Sequence, residues 1–435
     1  MINRRSFVSL IAKCPLFYFG MLSPKQLAAA SSYNGKFFVT MQLSGGWDVS
    51  SFCDPKPNGP GTLINHWAST QIPQRCGNFL VAPIAKNTTV FNSYGKSMLV
   101  INGIDAQTNS HSVGVTHNWS GRNSAGYPSL TSLFASTFGA DMPMPYLNYG
   151  GYGVTSGLVR TTRINDIYSL EQILDPNKFS WTKTPALSDT IWSLIQTRQN
   201  QYVQSRIVDN TLLPRQQRNL SDYHSARSHT SQLKDFLSTL PDSSAFKSPV
   251  SLGFSLPNST LMTQMQSALH AFSAGVSCSA DFVLDGFDSH TDHDNKSAAL
   301  LSHLADALDF LMAYAGQLNI ANRLVVLITS DFSRTPSYNS SNGKDHWPIG
   351  SAILMESGQA WGNRTVGLTD ANQNSLKINP STLQQDPNGI NLYPKHLHKA
   401  LRTYLGIDKN PAEKLYPLNN TEDVSFFDPS RASIA

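Results

Sequence analysis

Five short apolar runs, each closed by glycine or polar residues, set the pattern of this chain. They are KFFVTMQL (36–43), MLVINGI (98–104), ADFVLDG (280–286), LVVLITSD (324–331) and GSAILM (350–355). Near-continuous apolar runs of this length predict strands covered on both faces, since a sheet with one wet side would alternate. Between the runs the period changes. Leu261, Met262, Met265, Leu269 and Phe272 share one helical face over residues 259–275. Leu301, Leu304, Leu308, Leu311, Met312 and Ala315 share another over 297–317. That second helix, about six turns long, joins the third run to the fourth, so a parallel crossover is the expected connection. Pro394 opens a further helix carrying Leu397, Leu401 and Leu405, and Gly406 closes it. Residues 183–240 are polar and helical without a strand signal, and the wider segment of about 150–250 predicts a helical insertion or cap. The predicted class is α/β: a mostly parallel central sheet with helices on both faces and a helical insertion.

A chain of 435 residues can bury a large core. Its net charge of +4 is too small for its length, and too evenly spread, to imply a nucleic-acid partner. Charged residues are sparse at 14%, which suits an exported protein. Residues 1–30 read as an export signal, with a basic start, an apolar middle, and Ala28, Ala29 and Ala30 at the expected cleavage point. The string Asn3-Arg4-Arg5-Ser6-Phe7-Val8 resembles the twin-arginine signal. The twin-arginine export machinery is therefore an expected partner and the periplasm or exterior the expected location. The apolar stretch is short and interrupted by Lys13, so the mature chain, 31–435, is expected to form a single domain without a transmembrane span. Lys13 also argues against lipid attachment at Cys14. Cys53 and Cys76 flank a loop rich in Pro, Gly and Asn, and an oxidising compartment would permit them to pair. Cys278 is expected as a buried thiol, and no Cys-based zinc spacing occurs.

Polar clusters follow four of the five runs: Asp48, the Ser110/Ser112 segment, Asp288 with His290 and His293, and Asp331. In an open parallel sheet these positions gather at the carboxyl edge, where ligands bind. His346, in the loop entering the fifth run, can reach the same edge. Carboxylate and imidazole together form the donor set of zinc or manganese. Each position also has a plain role as a turn or cap residue. Arg334, just past the fourth run, can grip an anion with its guanidinium or pair with Asp345 to brace the loop.

Four strings occur in order: Gly45-Gly46-Trp47-Asp48, Gly286-Phe287-Asp288-Ser289-His290, Ser330-Asp331-Phe332-Ser333-Arg334-Thr335 and Gly343-Lys344-Asp345-His346. Together they resemble the domain of unknown function 1501 family, twin-arginine-exported bacterial proteins related to the alkaline phosphatase and sulfatase superfamily. The resemblance implies an alkaline phosphatase-like fold and one or two divalent metals, zinc or manganese, at the carboxyl edge. It implies ligand roles for Asp48 and Asp331 at one metal, and for Asp288 with His290 or His293, and His346, at the other. Phe332 stands where the superfamily has a histidine, so His111 and His117 are candidate compensating ligands. Ser110 and Ser112 fall where the nucleophile should be, activated by coordination. The formylglycine motif of sulfatases does not occur. The resemblance thus implies a metal-dependent hydrolase of a small anionic phosphate or sulfate ester. The alternative is a non-catalytic periplasmic protein that keeps the fold for binding or assembly.

Overall fold

The computed structural model describes residues 33–435 apart from 180–181, 183, 209–210, 249, 255–258, 419, 432 and 434–435. The expected signal at 1–30 lies outside the described residues. Eight strands form the central sheet: β1 Phe37–Ser44, β2 Met98–Asp105, β3 Tyr146–Asn148, β4 Thr161–Arg163, β5 Ser279–Asp285, β6 Leu324–Ser330, β7 Ile349–Glu356 and β8 Arg364–Val366. Their spatial order is β8-β2-β7-β6-β1-β5-β3-β4. All neighbours are parallel except β7, which runs antiparallel to both β2 and β6. The five apolar runs are β1, β2, β5, β6 and β7, each within a residue or two of its expected bounds. The three-residue strands β3, β4 and β8 are too short to leave a periodic signal.

Central strands read as continuous apolar runs because helices cover both faces. In β1, Phe38 tilts against Phe134 of one helix while Phe37 stacks on Phe272 of another. Adjacent strand residues point to opposite faces, so these helices, Leu130–Phe138 and Leu261–Ser273, lie on opposite sides. All seven residues of β6 are buried. In chain order the helices are α1 Asn87–Tyr94, α2 His111–Ser120, α3 Leu130–Phe138, α4 Ile167–Leu174, α5 Asp189–Ile207, α6 Pro214–Ser228, α7 Thr230–Thr239, α8 Leu261–Ser273, α9 His293–Gln317 and α10 Pro394–Leu405. The segment expected as wholly helical first contributes β4, an edge strand of the main sheet, and then α4 to α7. Helix α9 links β5 to β6, and both flank β1 in parallel. Gly406 ends α10 at φ +75°, the left-handed stop its position predicted. Cys53 and Cys76 are separate buried thiols rather than a pair, and Cys278 is a buried thiol as expected.

One carboxylate sits inside the sheet. Asp281 of β5 pairs in register with Thr40 and Asn148. It accepts hydrogen bonds from Thr40 Oγ1 (2.5 Å) and the Tyr146 hydroxyl. Burial pushes its pKa up to about 6, since neutral donors offset only part of the lost hydration. A carboxyl with a raised folded-state pKa adds stability that is full below the unfolded value and disappears as pH rises through the folded one. The wild type should therefore lose on the order of 3 kcal/mol between about pH 4 and pH 6 through this group. Asp281→Asn should remove that component of the slope. Urea titrations of both proteins across this range measure the difference, and parallel curves would refute the assignment.

Candidate metal centre

The site forms where β1, β5 and β6 end and β7 begins. Because β7 is antiparallel, the loop before it reaches the edge that the loops after the other strands reach. Asp331 follows β6, and its side chain is buried. Its Oδ1 accepts from the N–H groups of Gly45 (3.1 Å) and Gly46 (2.7 Å) and from Ser330 Oγ (2.8 Å). The two glycines have φ of +110° and +83°, a backbone that aims consecutive N–H groups at one acceptor. A Cβ on Gly45 would lie 2.4 Å from Asp288 N, so this glycine also lets the loops after β1 and β5 touch. Oδ2 of Asp331 takes one further donor, His111 Nδ1, at 2.5 Å.

Hydrogen bonds at Nδ1 orient three imidazoles. Asp331 is an acceptor, so His111 carries its proton on Nδ1. His290 Nδ1 lies 2.8 Å from Asp345 Oδ1, and His346 Nδ1 lies 2.8 Å from the Asn109 carbonyl. Both partners accept, so these protons also sit on Nδ1. The three Nε2 atoms converge on Asp288. His290 and His346 approach its Oδ1 at 3.0 and 3.2 Å, and His111 approaches Oδ2 at 3.5 Å. His290 Nε2 and His346 Nε2 are 3.0 Å apart, and His111 Nε2 is buried without a hydrogen-bond partner. Where these Nε2 atoms carry lone pairs, they and the carboxylate oxygens repel one another at such distances, and a proton or a cation among them relieves it. Ligand atoms of His111, Asp288 and His346 all fall within 4.8 Å of one another. Three imidazoles and a carboxylate, each ring oriented through its far nitrogen, fit a zinc- or manganese-type ion.

The surroundings tune these groups. Burial pushes the Asp288 carboxyl up, but the hydrogen bond and charge of Arg334 outweigh it and hold the carboxyl below its ordinary value. The bond to Asp331 pushes the His111 pKa up. The bond from His290 holds the Asp345 carboxyl low. Phe332, the departure from the superfamily pattern, packs its ring 4.7 Å from both His111 and His346. It therefore walls the centre, while His111 makes the contact with Asp331. Asp345 touches the centre only through His290. Asp345→Asn should weaken metal binding by about 10- to 100-fold, as removal of such orienting groups does. Chelator competition measures this, and an unchanged affinity would show that Asp345 does not hold the ring.

Other expected site residues lie elsewhere or act differently. Asp48 and His293 do not reach the Asp288 cluster. They form a buried set with Lys344: Asp48 Oδ2 meets Lys344 Nζ at 2.7 Å and His293 Nε2 at 2.9 Å. Ser50 caps Asp48 Oδ1 through its N–H and hydroxyl. Burial pushes Asp48 up, but the Lys344 charge and the His293 contact outweigh it and hold the carboxyl far below its usual range. His293 also meets Ser289 Oγ at 2.7 Å. This Ser-His-Asp chain is closed to substrate, because Ser289 is buried. It braces the loop that carries Asp288 and His290. His117 is buried against the Ala106 carbonyl at 3.0 Å and contributes nothing to the centre.

Arg334 differs from the anion grip expected of it. It is fully buried, and its N–H groups go to the carbonyls of Gly45, Gly46 and Lys344 and to Asp288 Oδ1 at 2.6 Å. It is a positioning residue: it ties together the loops after β1, β5 and β6 and holds Asp288. Its carboxylate partner is Asp288, where Asp345 was the expected one. Ser110 and Ser112 are exposed, and their side chains meet each other at 3.3 Å. Ser110 precedes α2, whose first residue is His111. Sequence reasoning missed Lys344 and Asn65. Lys344 lay inside the quoted Gly-Lys-Asp-His string, whereas Asn65 had no signal.

The chain is an α/β protein in which His111, Asp288 and His346, at the edge of its sheet, could hold a metal ion. Residues 204–413 match the model of the family described as protein of unknown function (DUF1501). This is the family that the four strings resemble. No curated protein matches the chain in sequence. Among solved structures, the chain is similar to a sulfatase from Pseudoalteromonas sp. at 11% identity and a TM-score of 0.40, covering 92% of this chain and 74% of that one. It is similar to a phosphonate monoester hydrolase of Agrobacterium radiobacter at 9% identity and a TM-score of 0.38, covering 85% and 74%. It is also similar to a lipoteichoic acid synthase of Listeria monocytogenes at 9% and 0.37, covering 93% and 77%.

Proposed function

We propose that the protein is an exported, metal-dependent hydrolase of phosphate or sulfate esters. The observation that supports this reading best is the convergence of three Nδ1-anchored imidazoles on Asp288 at the carboxyl edge of the sheet. His111, His290, His346 and Asp288 would hold a divalent ion, zinc or manganese. When bound, such an ion would polarise an ester oxygen and lower the pKa of bound water. The chain's own groups do the rest. Asp331, Asp345 and the Asn109 carbonyl fix the ring directions, Arg334 fixes Asp288, and Phe332 keeps water from one wall. Ser110 and Ser112 are exposed and flank His111 in the chain, and they are the proposed nucleophiles. Neither has a hydrogen-bonded base among the described residues, so a metal held at the centre would be the group that lowers the hydroxyl pKa. Export to the periplasm rests on the paired Arg4-Arg5 and the Ala28–Ala30 boundary.

A second reading, a non-catalytic periplasmic binding or assembly protein, is favoured by one observation. Arg334, the guanidinium expected to grip the substrate, is spent inside the protein. Metal analysis of the purified mature chain, followed by a phosphate- and sulfate-ester screen, separates the two. Bound zinc or manganese with turnover supports the hydrolase. Bound metal without turnover supports the second reading, and protein that neither binds metal nor gains activity on reconstitution sinks the first.

A further inference from the structure

Lys344 is wholly buried, and acceptors surround its ammonium. Nζ lies 2.7 Å from Asp48 Oδ2, 2.8 Å from Asn65 Oδ1 and 3.3 Å from Ser50 Oγ. The face of Tyr338 lies 5.1 Å away, and His293 Nε2 shares the same Asp48 oxygen. A carboxylate, an amide oxygen and a hydroxyl are the donors that hard divalent cations use. Two of these groups are also held by bonds that do not involve Lys344. Asp48 Oδ1 is bonded by Ser50, and the Asn65 amide nitrogen donates to the carbonyls of Ser50 and Lys56. Asp48 and Asn65 are thus oriented independently of Lys344, whose side chain reaches them from the loop that also carries His346.

We infer that the Asp48–Ser50–Asn65 cage is a cation position that the chain fills from within by the Lys344 ammonium. The protein then takes one divalent ion at the Asp288 centre and none at the cage. A buried carboxylate needs a compensating charge, and here an ammonium supplies it permanently, whatever metal is available. Shortening the lysine should leave the cage charged, open and short of a cation, so that it recruits one from solution. To reach calcium-type distances the Asp48 and Asn65 oxygens need to move in by up to about 0.5 Å and the Ser50 hydroxyl by about 0.7–1.0 Å.

The test compares wild type, Lys344→Ala and Lys344→Met after equilibration with Mn²⁺ and removal of free ion, with metal counted per chain. Lys344→Ala should bind one more ion than wild type and should melt at a temperature that rises with added Mn²⁺ more steeply than wild type does. Lys344→Met fills the same space without a charge and should keep the wild-type count. Two ions in the wild type would overturn the inference, as would an alanine variant with an unchanged count. An alanine variant that stays unfolded even in excess Mn²⁺ also counts against it, because a cage that accepts a cation would be rescued. The step from wild type to variant is read separately from the wild-type count. A wild type without metal would therefore defeat the metal-centre reading while leaving the cage testable.

Discussion

Asp288→Ala should abolish metal binding at the centre and, with it, ester turnover. Asp288 is the carboxylate on which His111, His290 and His346 converge. Losing groups that merely orient such ligands costs about 10- to 100-fold in affinity, so losing the shared ligand should cost at least about 100-fold. The fold should survive. The Asp288 side chain is half exposed, and Arg334 keeps its carbonyl partners at Gly45, Gly46 and Lys344. Loss of its one charged partner should cost about 1–3 kcal/mol. Metal affinity by chelator competition, turnover, and urea denaturation without metal separate these effects. If the variant keeps wild-type affinity within a few-fold, the centre is not where the structure places it. If affinity falls but turnover persists, the metal does not serve the reaction.

Much of this was legible because burial leaves a compositional trace. β6 reads as LVVLITS because both its faces are covered, and the aspartate after it marks where the dry region ends. The same trace located β1, β2, β5 and β7, and with them most of the loops that meet at the centre. The direction of β7 was not legible, since an apolar run carries no sign for parallel or antiparallel pairing. Nor could the sequence say which carboxylate would be free to bind a ligand. Asp48 and Asp331 look alike as residues after strand ends. One is neutralised by Lys344, from a loop nearly 300 positions away, and the other is saturated by two backbone N–H groups and a serine. Partners that distant, and backbone donors of any kind, leave no mark near the residue they serve. Arg334 shows the same gap: position suggested an anion grip, but three carbonyls and Asp288 use its donors. Phe332 was legible as a departure from the superfamily pattern, yet its role as a packing wall for His111 and His346 needed the assembled rings.

The Asp48–Lys344 pair should give the largest stability effect in the chain, and a double-mutant cycle should show it as coupling. Both side chains are fully buried. Removing one partner from a buried ion pair leaves an uncompensated charge and costs about 3–5 kcal/mol. Asp48→Asn and Lys344→Met should each fall in or near that range. The double variant should be much less destabilised than the sum, because two neutral groups of similar shape leave no charge behind. In the wild type, burial and the Lys344 charge hold the His293 pKa below its ordinary value. The pH dependence has a definite sign. Asp48 titrates far below its unfolded value, so its contribution is full at neutral pH and begins to be lost as pH falls below about 4. Urea denaturation of the four proteins, with divalent ions chelated so that none can enter the cage, gives the coupling energy directly. Simple additivity within about 0.5 kcal/mol would mean that the two charges do not depend on each other, and that the loops after β1 and before β7 are joined by packing alone.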